Sequence, residues 1–197
     1  MDRLLLELVG LVGEHQPGQE WLSNFSPDPV RVDVGHGEQE YATVEHAYQA
    51  AKATSRQDHD AVASAGPPEQ AKDRGRALER RADWREVRTD LMRAVLAAKY
   101  APGSEAGRRL LATGDAVLVE VAPHGDELNG VGPQPDGTWR GRNVVGVLLV
   151  ERRGQLRLLE AGPEPGAGHR NGRSPGVVAP GTTPRPAPTT GQPGAPP

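Results

Sequence analysis

The sequence predicts a mainly α fold: a single compact multihelical domain with a few short β-strands, followed by a tail. Apolar residues recur at helical spacing between capping residues over much of residues 43–159. Only brief β-branched runs interrupt them. Near Ala161 the composition turns abruptly to Gly, Pro, Ala, Thr and Ser.

The elements follow in order. Residues 30–34 alternate apolar and polar, as an edge strand or hairpin arm does. Thr43 caps a helix through Val44, Ala47, Tyr48 and Ala51, with Glu45 in its favourable first turn. Pro67 and Pro68 open a second helix through Gln70, Ala71 and Leu78. A third starts at Asp83 and carries the stripe Trp84, Val87, Leu91, Val95 and Ala98. Ser104 caps a short fourth helix that stops at Gly114. Residues 117–121 read as a strand, and the Gly- and Pro-rich residues 123–141 as a long loop, where function often sits. Asn143 caps a last helix over residues 144–159.

The expected organisation is a variable N-terminal segment (1–20), one domain (21–160) and a disordered Pro/Gly-rich tail (161–197). The tail has Val177 and Val178 as its sizeable aliphatics, too few to offset its ordering entropy. A net charge of −3 provides no global basic field for nucleic acid or membranes. The apolar N-terminal residues are broken by Asp2 and Glu7, which argues against a signal peptide, and no apolar run is long enough to span a bilayer. The absence of cysteine excludes disulfides and thiolate chemistry and is compatible with the cytoplasm, the expected location. The 6 histidines show no HxH or HxxxH spacing, so no metal site is expected.

Candidate chemistry starts with Glu45, Gln49 and Lys52, one polar stripe along the Thr43 helix. By spacing alone a solvated helix face is the plainer explanation. Asp126 lies in the long loop, and an ordinary turn Asp is its plain explanation. Two carboxylates that converge can divide acid and base work at a glycosidic bond, but spacing does not show convergence. Lys72 and Arg76 form an i, i+4 basic pair, either a solvated face or a phosphate clamp. Trp84 is either core or a stacking platform, while His46, His124 and Asn143 read as a helix-surface His, a loop His and a helix cap.

Several blocks together resemble one family. Trp21-Leu22-Ser23-Asn24-Phe25-Ser26-Pro27 is similar to the opening of the NADAR (YbiA-like) superfamily. Thr43-Val44-Glu45-His46-Ala47-Tyr48-Gln49-Ala50 is similar to its T-x-E-H-x-x-Q-A block, and Ala71 to Arg76 to its A-K-x-x-G-R block. Trp84 with Met92 and Lys99-Tyr100, then Leu110 to Asp115 with Leu118-Val119-Glu120, and finally Gly141 to Val150, resemble later blocks in the family order. Asn129 departs from the pattern, which usually has Trp there.

That resemblance implies a mainly helical N-glycosidase that needs no cofactor. It implies Glu45, Trp84 and Asp126 as catalytic residues. Asn24, Phe25, Gln49, Lys72, Arg76 and Asn143 would line or support the pocket. The implied substrate is a phosphorylated N-riboside such as a ribosylaminopyrimidine phosphate of riboflavin biosynthesis. ADP-ribosyl-guanine is the alternative, with nucleic acid entering only as a modified substrate. A non-catalytic ADP-ribose or NAD-binding module is the third reading.

Overall fold

The computed structural model describes residues 9–12, 18–122 and 125–162. His124 and the expected tail beyond Gly162 lie outside them. Among the described residues the fold is mainly α, with six α-helices and three two-stranded β-pairs.

Strand β1 (Val9–Val12) pairs in parallel with β4 (Val117–Glu120). Strands β2 (Val30–Asp33) and β3 (Glu38–Tyr41) form an antiparallel hairpin, the arm expected from the alternation at residues 30–34. Asp33 closes its turn, with Oδ1 accepting from Gly35 N at 2.7 Å and Gly37 N at 3.1 Å.

Helix α1 (Val44–Ala50) is the centre of the fold, and all of its residues are buried. Thr43 caps it as expected: Oγ1 accepts from His46 N at 3.3 Å. The orphan N–H of Glu45 is satisfied by Asn24 O at 2.9 Å, which ties the Trp21–Pro27 loop to the helix start. His46 is buried, not a surface residue. Its Nε2 lies 3.2 Å from Gly66 O and its Nδ1 2.9 Å from Thr43 Oγ1. The ring therefore donates through Nε2 and accepts the threonine hydroxyl at Nδ1, stapling α1 to the loop after the next helix.

That next helix, α2 (Arg56–Ala63), is an addition to the sequence reading, which passed from Thr43's helix straight to Pro67. It buries only His59 and Val62, so its apolar stripe is too thin to register. Its signal was the cap: Ser55 Oγ accepts from Asp58 N at 3.1 Å and donates to Asp58 Oδ2 at 2.7 Å. Helix α3 (Pro68–Ala77) starts at Pro67–Pro68 as expected and packs on α1 and α2.

Helix α4 (Trp84–Lys99) packs on α1, β2 and the last helix, burying Trp84, Met92, Val95 and Leu96. Asp83 occupies its N-cap position but makes no side-chain cap bond; its carboxylate pairs with Arg81 instead. Helix α5 (Glu105–Ala112) is capped by Ser104, whose Oγ accepts from Gly107 N at 2.9 Å.

The expected long loop at residues 123–141 is partly a hairpin, β5 (Val131–Pro133) with β6 (Trp139–Gly141). Three-residue strands made partly of Gly and Pro carry no readable alternation. Helix α6 (Val144–Ala161) closes the domain against α4, α5 and β4. Asn143 stands at its N-cap position without capping it. It adopts φ 51, and its side chain pairs with β4 instead.

Candidate active site

A helix buried on every side has no place for a carboxylate, an amide and an ammonium unless they face a polar cavity. Glu45, Gln49 and Lys52 do: they form one wall of a cavity of about 380 Å³. The stripe that spacing left open as a solvated face is therefore an interior one, with Glu45 only 5% exposed. Gln49 Nε2 donates to Glu45 Oε1 at 2.8 Å, and Lys52 Nζ donates to Gln49 Oε1.

The other walls come from distant parts of the chain. The loop before β2 brings Asn24 and Phe25. Helix α3 brings Lys72 and Arg76, the segment after it Arg80, and α4 brings Trp84 and Arg88. The end of β4 supplies Glu120, and the turn before β5 supplies Asp126 and Asn129. Glu45 and Asp126 thus do enter one cavity, the convergence that spacing could not show.

Asp126 is exposed and held by Asn129, whose N and Nδ2 donate to it at 3.1 and 2.9 Å. Where the family pattern has Trp, this chain therefore places an amide that fixes the second carboxylate. Trp84 is 6% exposed and packs on the Tyr48 ring with centroids 5.2 Å apart. Lys52 Nζ lies 5.6 Å from the Trp84 ring centroid, and Lys72 Nζ lies 5.0 Å from that of Phe25.

Asn143 does not line the cavity. It supports it: Oδ1 accepts from Glu120 N at 2.9 Å and Nδ2 donates to Leu118 O at 2.9 Å, so one side chain completes the edge of β4. Gly146, one turn on, permits this approach, since a Cβ there would lie 2.2 Å from Leu118 O. Lys99 steadies another wall from beneath, donating to Ser23 O at 2.9 Å beside Asp28 at 3.3 Å.

Tyr48, Arg80, Arg88 and Glu120 are pocket residues that the sequence reading did not select, and Lys52 is one that it placed on the polar stripe without a role. Lys52 had a signal, its place on the Glu45 stripe. Arg80 and Arg88 had none, because nothing in their spacing distinguishes them from surface arginines.

Electrostatically the cavity is cationic in a chain of net charge −3. Lys52, Lys72, Arg76, Arg80 and Arg88 face Glu45, Glu120 and Asp126, five cations to three carboxylates. Burial pushes the Glu45 carboxyl up, against the pull of the Gln49 amide, Lys72 and Lys52. Burial pushes the Lys52 ammonium down to about 8. Among the described residues no group of three or more His, Cys, Asp or Glu side chains could hold a metal.

The fold and the site together define a class, the YbiA-like domains. The Escherichia coli YbiA solution structure is similar to this chain with a TM-score of 0.66 and 29% identity, covering 83% of this chain and 90% of that one. The chain belongs to the NADAR domain family, whose model matches residues 12–157. An N-glycosidase of Nostoc punctiforme is 34% identical over 142 residues, 70% of this chain and 85% of the relative. N-glycosidase YbiA of Escherichia coli strain K12 is 33% identical, over 69% of this chain and 81% of the relative. A riboflavin biosynthesis protein of Vibrio vulnificus is 31% identical over 70% of this chain but only 35% of its own length.

Proposed function

We propose that this hydrolase of N-glycosyl bonds cleaves the ribose–nitrogen bond of a phosphorylated N-riboside, such as a ribosylaminopyrimidine phosphate of riboflavin biosynthesis. The observation that carries the reading is the cavity's composition: a buried carboxylate held by an amide, an indole wall, and cations beyond those the acids neutralise. Lys72 and Arg76 bind the phosphate, and the base lies against Trp84. Water adds to the anomeric carbon as the carbon–nitrogen bond breaks. The bond's electron pair leaves with the nitrogen, which takes up a proton. Glu45 accepts the water's proton and stabilises the oxocarbenium-like charge. Asp126 completes the proton transfer or holds the ribose hydroxyls. Relatives named N-glycosidase and riboflavin biosynthesis protein support this choice.

Arg80 and Arg88 favour a second reading, because they extend the cationic lining beyond what one phosphate needs. A diphosphate, as in ADP-ribosyl-guanine, would use them. We place either activity in the cytoplasm; no described helix is long and apolar enough to cross a membrane. The test is to incubate the purified chain with each substrate and follow free base and ribose product by chromatography. Base released from the ribosylaminopyrimidine phosphate supports the first reading, and guanine released only from the ADP-ribosylated substrate replaces it with the second. Product from neither, with measurable ADP-ribose binding, means a binding module.

A further inference from the structure

Lys52 stands at one end of a polar chain whose other end is Glu45. Its Nζ donates to Gln49 Oε1, and Gln49 Nε2 donates onward to Glu45 Oε1 at 2.8 Å. A primary amide has one accepting end and one donating end, so a donor fixed at its oxygen decides what its nitrogen faces. With Lys52 in place, the Gln49 NH2 must point at the carboxylate. Without it the amide can turn over and set its oxygen against Glu45.

Helix α3 closes the remaining side. Gly75 lies so close to Gln49 that a Cβ there would sit 2.3 Å from Oε1 and 2.7 Å from the Gln49 Cβ. No side chain fits at 75 unless the amide moves. Glu45, Gln49 and Lys52 are each more than nine-tenths buried, so water cannot substitute freely for any link.

We propose that Lys52 is a positioning residue of the glycosidic reaction: by anchoring the Gln49 amide in the space that Gly75 leaves, it holds the Glu45 carboxylate oriented and charged. The proposal rests on the assignment of Glu45 to the chemistry. Glu45 is also faced by Lys72 from α3 and Asp126 from the turn before β5. Lys52 is faced by Arg76 from α3, Arg80 from the segment after it, and Asp126. Lys72 and Lys52 favour the carboxylate, and Asp126 opposes it. Burial acts against the charge at both ends, and the amide lets each end support the other without direct contact.

Two substitutions break the chain without touching Glu45. Lys52→Met removes the anchor; Gly75→Ala leaves all three groups and crowds the amide. Lys52→Arg is the conservative control. In the full chain, kcat/KM for the ribosylaminopyrimidine phosphate is measured against pH. The Glu45 carboxyl is titrated in parallel by carbon-13 NMR, assigned by comparison with Glu45→Gln. Lys52→Met should move the acid limb and the NMR titration to higher pH by about one unit, the low end for loss of a nearby opposite charge, and Gly75→Ala should move both in the same direction. Lys52→Arg should restore most of the wild-type position. Reduced turnover in the folded variants with both titrations unmoved overturns the proposal and makes Lys52 a packing residue. If Lys52→Met does not fold, an unmoved titration in Gly75→Ala overturns it alone. The titration does not depend on activity. Undiminished turnover in Glu45→Gln with the NMR shift intact would instead overturn the assignment of Glu45, and with it the catalytic consequence of the coupling.

Discussion

Gln49 donates to Glu45 across one turn of a helix whose whole circumference is buried, at 2.8 Å. A carboxylate in such a place costs folding free energy, since burial disfavours its charge. It is tolerated because an amide and two lysines favour that charge.

Glu45→Gln should therefore fold at least as well as wild type, since it removes a buried charge and keeps the shape. Turnover should fall by roughly 10²–10⁴, as for loss of a general base, with substrate affinity little changed. Steady-state kinetics on the folded variant checks this, and turnover within about threefold of wild type removes Glu45 from the mechanism.

Lys72 and Arg76 line the cavity without an ion pair to any described residue. If they bind phosphate, Lys72→Ala or Arg76→Ala should raise KM for the phosphorylated substrate at least tenfold, since one charge-assisted bond contributes about 1.5–3 kcal/mol. The dephosphorylated analogue should change little. Equal effects on both substrates would assign the pair to structure.

Asn143→Ala should lower stability by about 2 kcal/mol, because Leu118 O and Glu120 N lose their partner together. Ala is also strained at φ 51, where Asn is tolerated. A fall in Tm of roughly 5 °C is expected for a domain of this size. An unchanged Tm in differential scanning calorimetry would show that the bridge to β4 is dispensable.

Lys99 and Lys52 give stability a distinctive pH dependence. Burial pushes both ammonium groups down to about 8. In the unfolded chain they titrate near the ordinary value of about 10.4. Below pH 8 both states hold these protons, so the pair contributes no slope. Above pH 8 the folded chain sheds them first and the unfolded chain binds more protons, so stability rises with pH. The limit is about 1.4 kcal/mol per pH unit for each lysine. Urea unfolding at several values between pH 7.5 and 9.5 measures the slope, which should roughly halve in Lys99→Met. An identical slope in the variant would show that Lys99 titrates normally.

The local code of this chain is strong where one residue answers to its near neighbours. Thr43 and Ser104 are legible as caps because their partners, His46 and Gly107, lie three residues on. The α4 stripe and the hairpin arm at β2 follow from periodicity alone, and the ordered blocks sufficed to assign the family. Other features required the assembled fold. Whether the Glu45 stripe meets water or a cavity depends on α3, α4 and the Asn24 loop closing over it. Asn143 was legible as a helix cap, yet β4 lies close enough through Gly146 to take its side chain. Arg80, Arg88 and Asp126 share a site with Glu45 only because tertiary packing joins segments distant in sequence. Spacing along the chain encodes what a helix or turn does within a few residues. Burial and convergence depend on neighbours that packing alone supplies.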